Sequence, residues 1–210
     1  MTPEKVTEFF TRADGSYAFA RWGRPLAPVA FGIDDATLSV LKGSLEAMAA
    51  LAGQNIAETD PELGSNMMFF FFKEWSELRD VPKLDKLVPN LGPLTRKLEK
   101  NQANQYRFFR FDDAGGIKAY FVFLRMDEHL SKVSAHTLCL SQSVQSILLW
   151  SDTAFLNASP LAILPDETTL LKPEIGALIR AAYDPALPSH SSDPSHGLRL
   201  FARMSVEKMD

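Results

Sequence analysis

The apolar residues of this chain alternate between helical and strand-like patterns, and the clearest helical pattern lies in residues 36–52. Its apolar positions recur at spacings of three and four, which places them on one helical face: Leu38, Leu41, Leu45, Met48 and Leu51. Asp34 and Asp35 come directly before it, and their short acceptor side chains suit the free N–H groups of a first helical turn. The pattern predicts an amphipathic helix with an aspartate cap.

Strand patterns occupy three further regions. Residues 25–32 are rich in apolar side chains and end at a glycine, which predicts a strand. Residues 66–72 (NMMFFFF) form a continuous apolar run whose length and aromatic content favour a buried strand. Residues 106–111 and 117–126 flank Asp-Asp-Ala-Gly-Gly, which tolerates the positive φ of a tight turn, so together they predict a β-hairpin.

The rest of the chain predicts further helices and the connections between them. The additional helices are predicted at residues 3–12, 94–100, 134–150, 173–183 and 197–208. Residues 81–93 and 151–169 predict irregular loops, and residues 185–197 are rich in proline and serine, which predicts an exposed, mobile segment. This order of elements predicts a single α+β domain over residues 1–210, with a mixed or antiparallel sheet and helices packed against it.

Composition and charge exclude several classes of function. The net charge of -4 and the scattered Lys and Arg residues argue against nucleic-acid binding, which needs a basic face. No apolar run approaches the length of a membrane span, and charge at Glu4, Lys5 and Glu8 is unlike a signal peptide. We therefore expect a soluble, cytoplasmic protein, or an exported one if a leader precedes this chain. The single cysteine, Cys139, excludes an internal disulfide.

One set of residues in the C-terminal part carries a resemblance: Cys139, Val144 and Leu148 on a predicted helix, Asp152 after it, Pro165-Asp166-Glu167 in a loop, and Ala182-Tyr183-Asp184-Pro185 after the next helix. In these positions, and in RPLAPVAFG followed by a long amphipathic helix, the chain resembles a bacterial family of domains of unknown function that looks related to zincin metallopeptidases. The resemblance implies a zincin-like fold, in which the helix of residues 134–150 stands where zincins carry H-E-x-x-H.

Zincins use H-E-x-x-H because residues four apart lie on one helical face and reach the same zinc ion, while the glutamate polarises the bound water. Here those positions hold Gln142, Ser143 and Ser146, the bending glycine of the extended motif is Leu149, and only Asp152 remains at the third-ligand position. One carboxylate does not hold zinc. The resemblance therefore implies a pseudoenzyme without metal or other cofactor. It further implies a former active-site cleft around Gln142, Ser143, Ser146 and Asp152, which we expect to bind a small ligand or a partner protein.

A rival interpretation is a hydrolase that uses Cys139, His136 and Asp152. The cysteine and histidine lie three residues apart near a helix start, where the pKa of a thiol can be depressed. A single cysteine on an apolar helix is more often a small buried hydrophobe. A hydrolase should bring at least two titratable groups within hydrogen-bond reach in a pocket, whereas a binding domain needs only an apolar or flat cleft.

Three other groups of residues favour structural roles. His190 and His196, with Asp193 between them, could suggest a metal clamp, but their Pro/Ser-rich surroundings favour a solvated loop. Asp166 and Glu167 could form an acid/base pair, but adjacent carboxylates near a helix more often complement its dipole. The phenylalanine-rich strands are more typical of a core than of a ligand cavity.

We expect the purified protein to hold no stoichiometric zinc, because Gln142, Ser143 and Ser146 replace the H-E-x-x-H ligands and base. Elemental analysis of protein prepared without chelators measures this directly. About one zinc per chain would contradict the degenerate-zincin interpretation.

Overall fold

The structure is a computed structural model that describes residues 1–206. Within this range the helices are α1 (Pro3–Glu8), α2 (Asp35–Leu51), α3 (Leu84–Leu87), α4 (Leu91–Lys100), α5 (Ala135–Ile147), α6 (Pro173–Ala182) and α7 (Ser195–Val206). The strands are β1 (Phe19–Ala20), β2 (Pro28–Phe31), β3 (Met67–Phe72), β4 (Gln105–Phe111), β5 (Ile117–Arg125), β6 (Leu161–Ile163), β7 (Thr169–Leu171) and β8 (His190–Ser191). Short 3-10 helices cover Trp75–Asp80 and Leu130–Lys132.

The central sheet has four strands in the order β2-β3-β5-β4. β2, β3 and β5 are parallel, and β4 joins β5 through the hairpin and runs antiparallel to it at one edge. The predicted α+β class with a mixed sheet is therefore confirmed. Within residues 1–206, none of the helices is both long and apolar enough to cross a bilayer.

Both faces of the sheet are covered, which explains the continuous apolar run of β3. Successive strand residues point to opposite faces, so Phe69 and Phe71 join the core that includes α2 and α5, while Phe70 and Phe72 join a second core under the 3-10 helix and α4. In a strand that is buried on both faces nearly every residue is apolar, so its sequence shows no alternation of apolar and polar residues. The expectation that the helix beginning after Ser134 packs against the sheet of the hairpin is confirmed.

At two places the structure contains the helix cap or the turn that the sequence predicts. The Asp34 carboxylate accepts the backbone N–H of Thr37 at 2.8 Å and starts α2. In the hairpin turn, Asp112 Oδ1 accepts the N–H groups of Ala114 and Gly116 at 3.0 and 2.9 Å. Gly115 takes φ 80° there, a conformation that glycine adopts without steric cost.

Several predicted boundaries are wrong, and each error lies in an irregular region. The region predicted as loop at 151–169 contains β6 and the start of β7, and the region at 81–93 contains α3 and the first turn of α4. The predicted first helix ends at Glu8, and the helix predicted at 134–150 ends at Ile147. The predicted last helix is present as α7, and its two final residues, 207 and 208, lie outside the described residues. These segments are short, so the spacing of their apolar residues does not define where a helix or strand begins and ends.

The segment 185–197, which the sequence predicts to be mobile, makes specific contacts. β8 pairs antiparallel with β1, and the buried ring of His196 contacts the Tyr17 hydroxyl through Nδ1 at 3.0 Å. Burial lowers the pKa of His196 to about 4. The placement of His196 in a solvated loop is wrong, because α7 packs closely on α1, where Gly197 leaves no room for a side chain beside Thr7.

The C-terminal end of α5 is buried, so its last carbonyl groups need donors from elsewhere in the chain. The indole of Trp22 donates to the Ser146 carbonyl at 2.9 Å, and the indole of Trp150 donates to that of Val144 at 2.8 Å. The Tyr183 hydroxyl donates to the Ile147 carbonyl at 2.6 Å and also accepts the backbone N–H of Trp22 at 3.3 Å. Aromatic donors from three separate segments therefore end this helix.

We expect Tyr183→Phe to lower the free energy of unfolding by about 1–3 kcal/mol, because it leaves a buried carbonyl without its donor. Chemical denaturation of the two proteins measures the difference. Tyr106→Phe is the matched control, since the Tyr106 ring packs on Phe123 while its hydroxyl makes no hydrogen bond within the described chain. A loss no larger for Tyr183→Phe than for the control would contradict the role of this hydroxyl.

Candidate functional site

A cleft of about 610 Å³ lies between strand β4 and the chain that leaves α5. We name it the β4 cleft. Its walls come from β4, from Gln145 and Val122, from the segment that follows α5, and from one residue of the N-terminal region. Its lining residues are Arg12, Gln105, Tyr106, Arg107, Phe108, Phe109, Phe111, Val122, Gln145, Leu149, Trp150, Ser151, Asp152, Phe155 and Leu156.

One side of the cleft is an unpaired strand edge. Arg125 donates its N–H to the Asn104 carbonyl, so these two residues form a hydrogen-bonded pair just before β4 begins. Such pairs alternate along an antiparallel ladder, which directs the N–H and C=O groups of Gln105, Arg107 and Phe109 away from β5. No hydrogen bond of these three N–H groups occurs within residues 1–206. The edge therefore presents a row of free backbone donors and acceptors.

The side chains of the same three residues point towards α5. Gln105 Oε1 accepts the Gln142 amide at 3.0 Å, and Arg107 donates to the side-chain oxygen of Gln145. The Phe109 ring packs on Tyr120 of β5 at 4.8 Å between centroids. Polar contacts thus tie the edge strand to the helix, with Arg107 at the centre of the row.

The opposite wall follows directly from the end of α5 and is largely apolar, with Ser151 and Asp152 as its polar residues. Leu149 donates its N–H to the Ala20 carbonyl at 2.9 Å, which turns the chain back along β1. Trp150 and Phe155 then contact each other at 5.0 Å between ring centroids, and Leu156 is largely exposed. The cleft is consequently a groove with a polar, strand-like side and an aromatic side.

Three charged side chains line the cleft, namely Arg12, Arg107 and Asp152. Arg12 and Asp152 are exposed, and the Asp152 carboxylate accepts the Ala13 N–H at 3.1 Å. Arg107 is half-buried. The charged lining therefore has one positive charge in excess.

Of the four residues predicted for the former active-site cleft, only Asp152 lines the β4 cleft. Gln142, Ser143 and Ser146 are at most 1% exposed. The two serine hydroxyls donate back to the helix itself, to the carbonyls of Cys139 and Ser143 at 2.8 and 2.9 Å. The residue of α5 that lines the cleft is Gln145, and Leu149 follows it four residues later. The missed residues carry one usable signal, since Gln105 and Arg107 are polar residues two positions apart on one face of a strand rich in aromatic residues.

The residues of the rival hydrolase lie apart. Cys139 is fully buried and its Sγ faces the Thr37 carbonyl of α2 at 4.0 Å, whereas His136 is exposed. Ile147, where α5 ends, lies about 12 Å along the helix from Cys139 at 1.5 Å per residue, and Asp152 comes later still. Burial raises the pKa of the Cys139 thiol to about 11.

The remaining candidates take structural positions. Asp166 Oδ1 accepts the Thr168 N–H at 3.0 Å in the turn between β6 and β7. Asp193 accepts the Ser195 N–H at 2.9 Å at the start of α7, and His190 lies exposed in β8. Throughout residues 1–206, no three His, Cys, Asp or Glu side chains come together in a way that could hold a metal ion.

We expect Cys139 to react slowly with a thiol reagent in the native protein and quickly after unfolding, because its thiol is buried and its pKa is raised to about 11. The native labelling rate should continue to rise with pH above the ordinary thiol value of about 8.5. A stopped-flow or spectrophotometric thiol assay over a pH series measures both effects. Fast native labelling that His136→Ala abolishes in a folded protein would instead support the hydrolase.

Comparisons of this chain with protein-family models, with curated proteins and with solved structures find no significant match. Support for a function therefore comes from the geometry of the β4 cleft.

Proposed function

We propose that this chain is a non-catalytic, zincin-like binding domain whose β4 cleft takes an extended segment of a partner protein as an additional strand. The observation that carries the proposal is the free edge of β4, where Gln105, Arg107 and Phe109 offer unpaired backbone groups inside a groove. An extended peptide satisfies such an edge through main-chain hydrogen bonds, and pockets for alternate side chains supply specificity.

The shape of the groove supports an extended occupant. Side chains of an added strand alternate between the two faces of the sheet, and those on the α5 side meet Phe109, Leu149 and Phe155. These aromatic and aliphatic side chains can cover apolar residues of the bound segment. Exposed strand edges are usually kept short or covered to prevent unwanted pairing, whereas β4 is seven residues long and adjoins a cleft.

The chemistry of the cleft favours binding over catalysis. The positions that hold the zinc ligands and base in zincins are Gln142, Ser143 and Ser146, and all three are buried. Among residues 1–206, Asp152 is the one carboxylate that lines the cleft, and its oxygen accepts the Ala13 N–H. An acid/base mechanism needs a second titratable partner near it, and the other charged residues of the lining are the arginines Arg12 and Arg107.

The experiment compares Gln105→Pro with Gln105→Ala. Both remove the glutamine side chain, but only proline removes the free N–H. Proline is tolerated at the first residue of an edge strand, so both variants should fold. Heptapeptides selected from a random phage-displayed library against the wild-type protein should bind Gln105→Ala well and Gln105→Pro at least about fivefold more weakly, the effect of one lost hydrogen bond.

Binding affinities are measured by fluorescence anisotropy with the selected peptides, and circular dichroism and thermal unfolding check the fold of each variant. Failure to select any peptide, or equal affinity of the two Gln105 variants, would overturn strand addition. Strand addition would also be overturned by peptides that shift the nuclear magnetic resonance signals of residues outside the β4 cleft and leave those of its lining unchanged.

A further inference from the structure

We propose that the β4 cleft selects an acidic side chain, aspartate or glutamate, at the position of the bound segment that lies opposite Arg107. This inference rests on the proposed function, because it names the chemistry that the same cleft recognises. The geometry that leads to it is a half-buried guanidinium at the centre of a free strand edge, held by a neutral partner.

Arg107 has a neutral partner, whereas several other arginines of this chain lie beside carboxylates. Arg24, Arg125 and Arg203 each lie within ion-pair distance of an aspartate. Arg107 instead contacts the side-chain oxygen of Gln145, and within residues 1–206 no carboxylate lies at ion-pair distance from it. Partial burial removes hydration from a charge, which is unfavourable unless an opposite charge or hydrogen bonds replace the water. A carboxylate entering the cleft supplies both.

The surroundings of Arg107 contain further polar groups without partners. The Tyr120 hydroxyl and Gln142 Oε1 are buried on the α5 side of the sheet, and neither has a hydrogen-bond partner in the part of the chain that is described. Tyr120 is the register partner of Phe109, two residues along β4 from Arg107, so the two side chains lie on the same face of the sheet. These groups lie behind the wall of the cleft and do not line it, so the carboxylate of the ligand is placed against Arg107 alone.

The other charged residues of the cleft lining, Asp152 and Arg12, leave it with an excess of positive charge that favours a bound anion. Asp152 stands on the opposite wall, where its oxygen accepts the Ala13 N–H. Arg12 also lines the cleft, and its charge lowers the pKa of neighbouring Asp14 as a minor cause beside the hydrogen bonds from Ser16. The excess positive charge therefore rests on the two arginines, and Arg107 is the one that belongs to the edge strand β4.

The position of Arg107 indicates a side chain rather than a chain end as the source of the carboxylate. Free backbone groups lie on both sides of it, at Gln105 and at Phe109. A segment paired along all three residues therefore continues past Arg107 in both directions. Directly opposite residues of neighbouring strands have Cβ atoms about 4.5–5.5 Å apart, which an arginine and an acidic side chain can bridge. The residue two positions away faces Phe109 and should be apolar.

The test begins with the heptapeptides selected against the wild-type protein. We expect an acidic residue to be enriched at one position, with an apolar residue two positions away, and we expect this acidic enrichment to disappear when the selection is repeated on Arg107→Gln. The strongest peptide is then synthesised with its acidic residue and with the corresponding amide. On the wild-type protein the amide should bind about tenfold more weakly, the effect of one charge-assisted hydrogen bond; on Arg107→Gln the two should bind equally.

Arg110→Gln is the matched control. Arg110 lies on the same strand with its side chain on the opposite face, over Phe121, so this variant should keep the tenfold preference. Arg107→Lys should keep part of it, because the positive charge remains. If Arg107→Gln fails to fold, the comparison of acid and amide on the wild-type protein still decides. Peptides that bind without acidic enrichment, or equally as acid and amide, would overturn the carboxylate preference alone, whereas the absence of any bound peptide would overturn strand addition itself.

Discussion

A helix that ends inside a protein must find donors for its last carbonyl groups, and this requirement governs the centre of the present structure. α5 ends at Ile147 among buried residues, and the donors come from Trp22, Trp150 and Tyr183. They belong to the segment after β1, to the exit of α5 itself, and to the end of α6. Meeting one requirement of the backbone therefore fixes the relative positions of three parts of the chain that are far apart in sequence.

The cleft is a consequence of how this helix end is satisfied. Because Leu148 pairs with Arg21 and Leu149 donates to Ala20, the chain leaves α5 along β1 and does not cross over β4. The segment that continues to Leu156 then forms a wall opposite the edge of β4, and no other segment of residues 1–206 pairs with that edge. The same geometry directs Gln145 of α5 into the space, where it contacts Arg107.

The buried polar residues of α5 stabilise the helix and its contact with the sheet. Ser143 and Ser146 direct their hydroxyls to carbonyls one turn earlier, which satisfies them inside the helix. Gln142 reaches across to Gln105 and ties the helix to the strand edge. The groups that remain open to the β4 cleft therefore come from the edge of β4 and from the segment after α5.

The sequence by itself determined the elements whose signals are local: the amphipathic helix α2 with its Asp34 cap, the buried strand β3, and the hairpin whose turn needs Asp112 and Gly115. Each depends on side-chain period or turn chemistry within a few residues. The sequence grouped Asp152 with Gln142, Ser143 and Ser146 in one cleft, whereas the structure buries those three residues and leaves Asp152 in the β4 cleft. Only the tertiary structure decided that Gln145 and not Gln142 lines that cleft, that His196 is buried, and that Tyr183 ends α5. These outcomes depend on contacts between residues far apart in the chain, such as the 36 positions between Ile147 and Tyr183, and no local pattern encodes which distant group will satisfy a buried carbonyl.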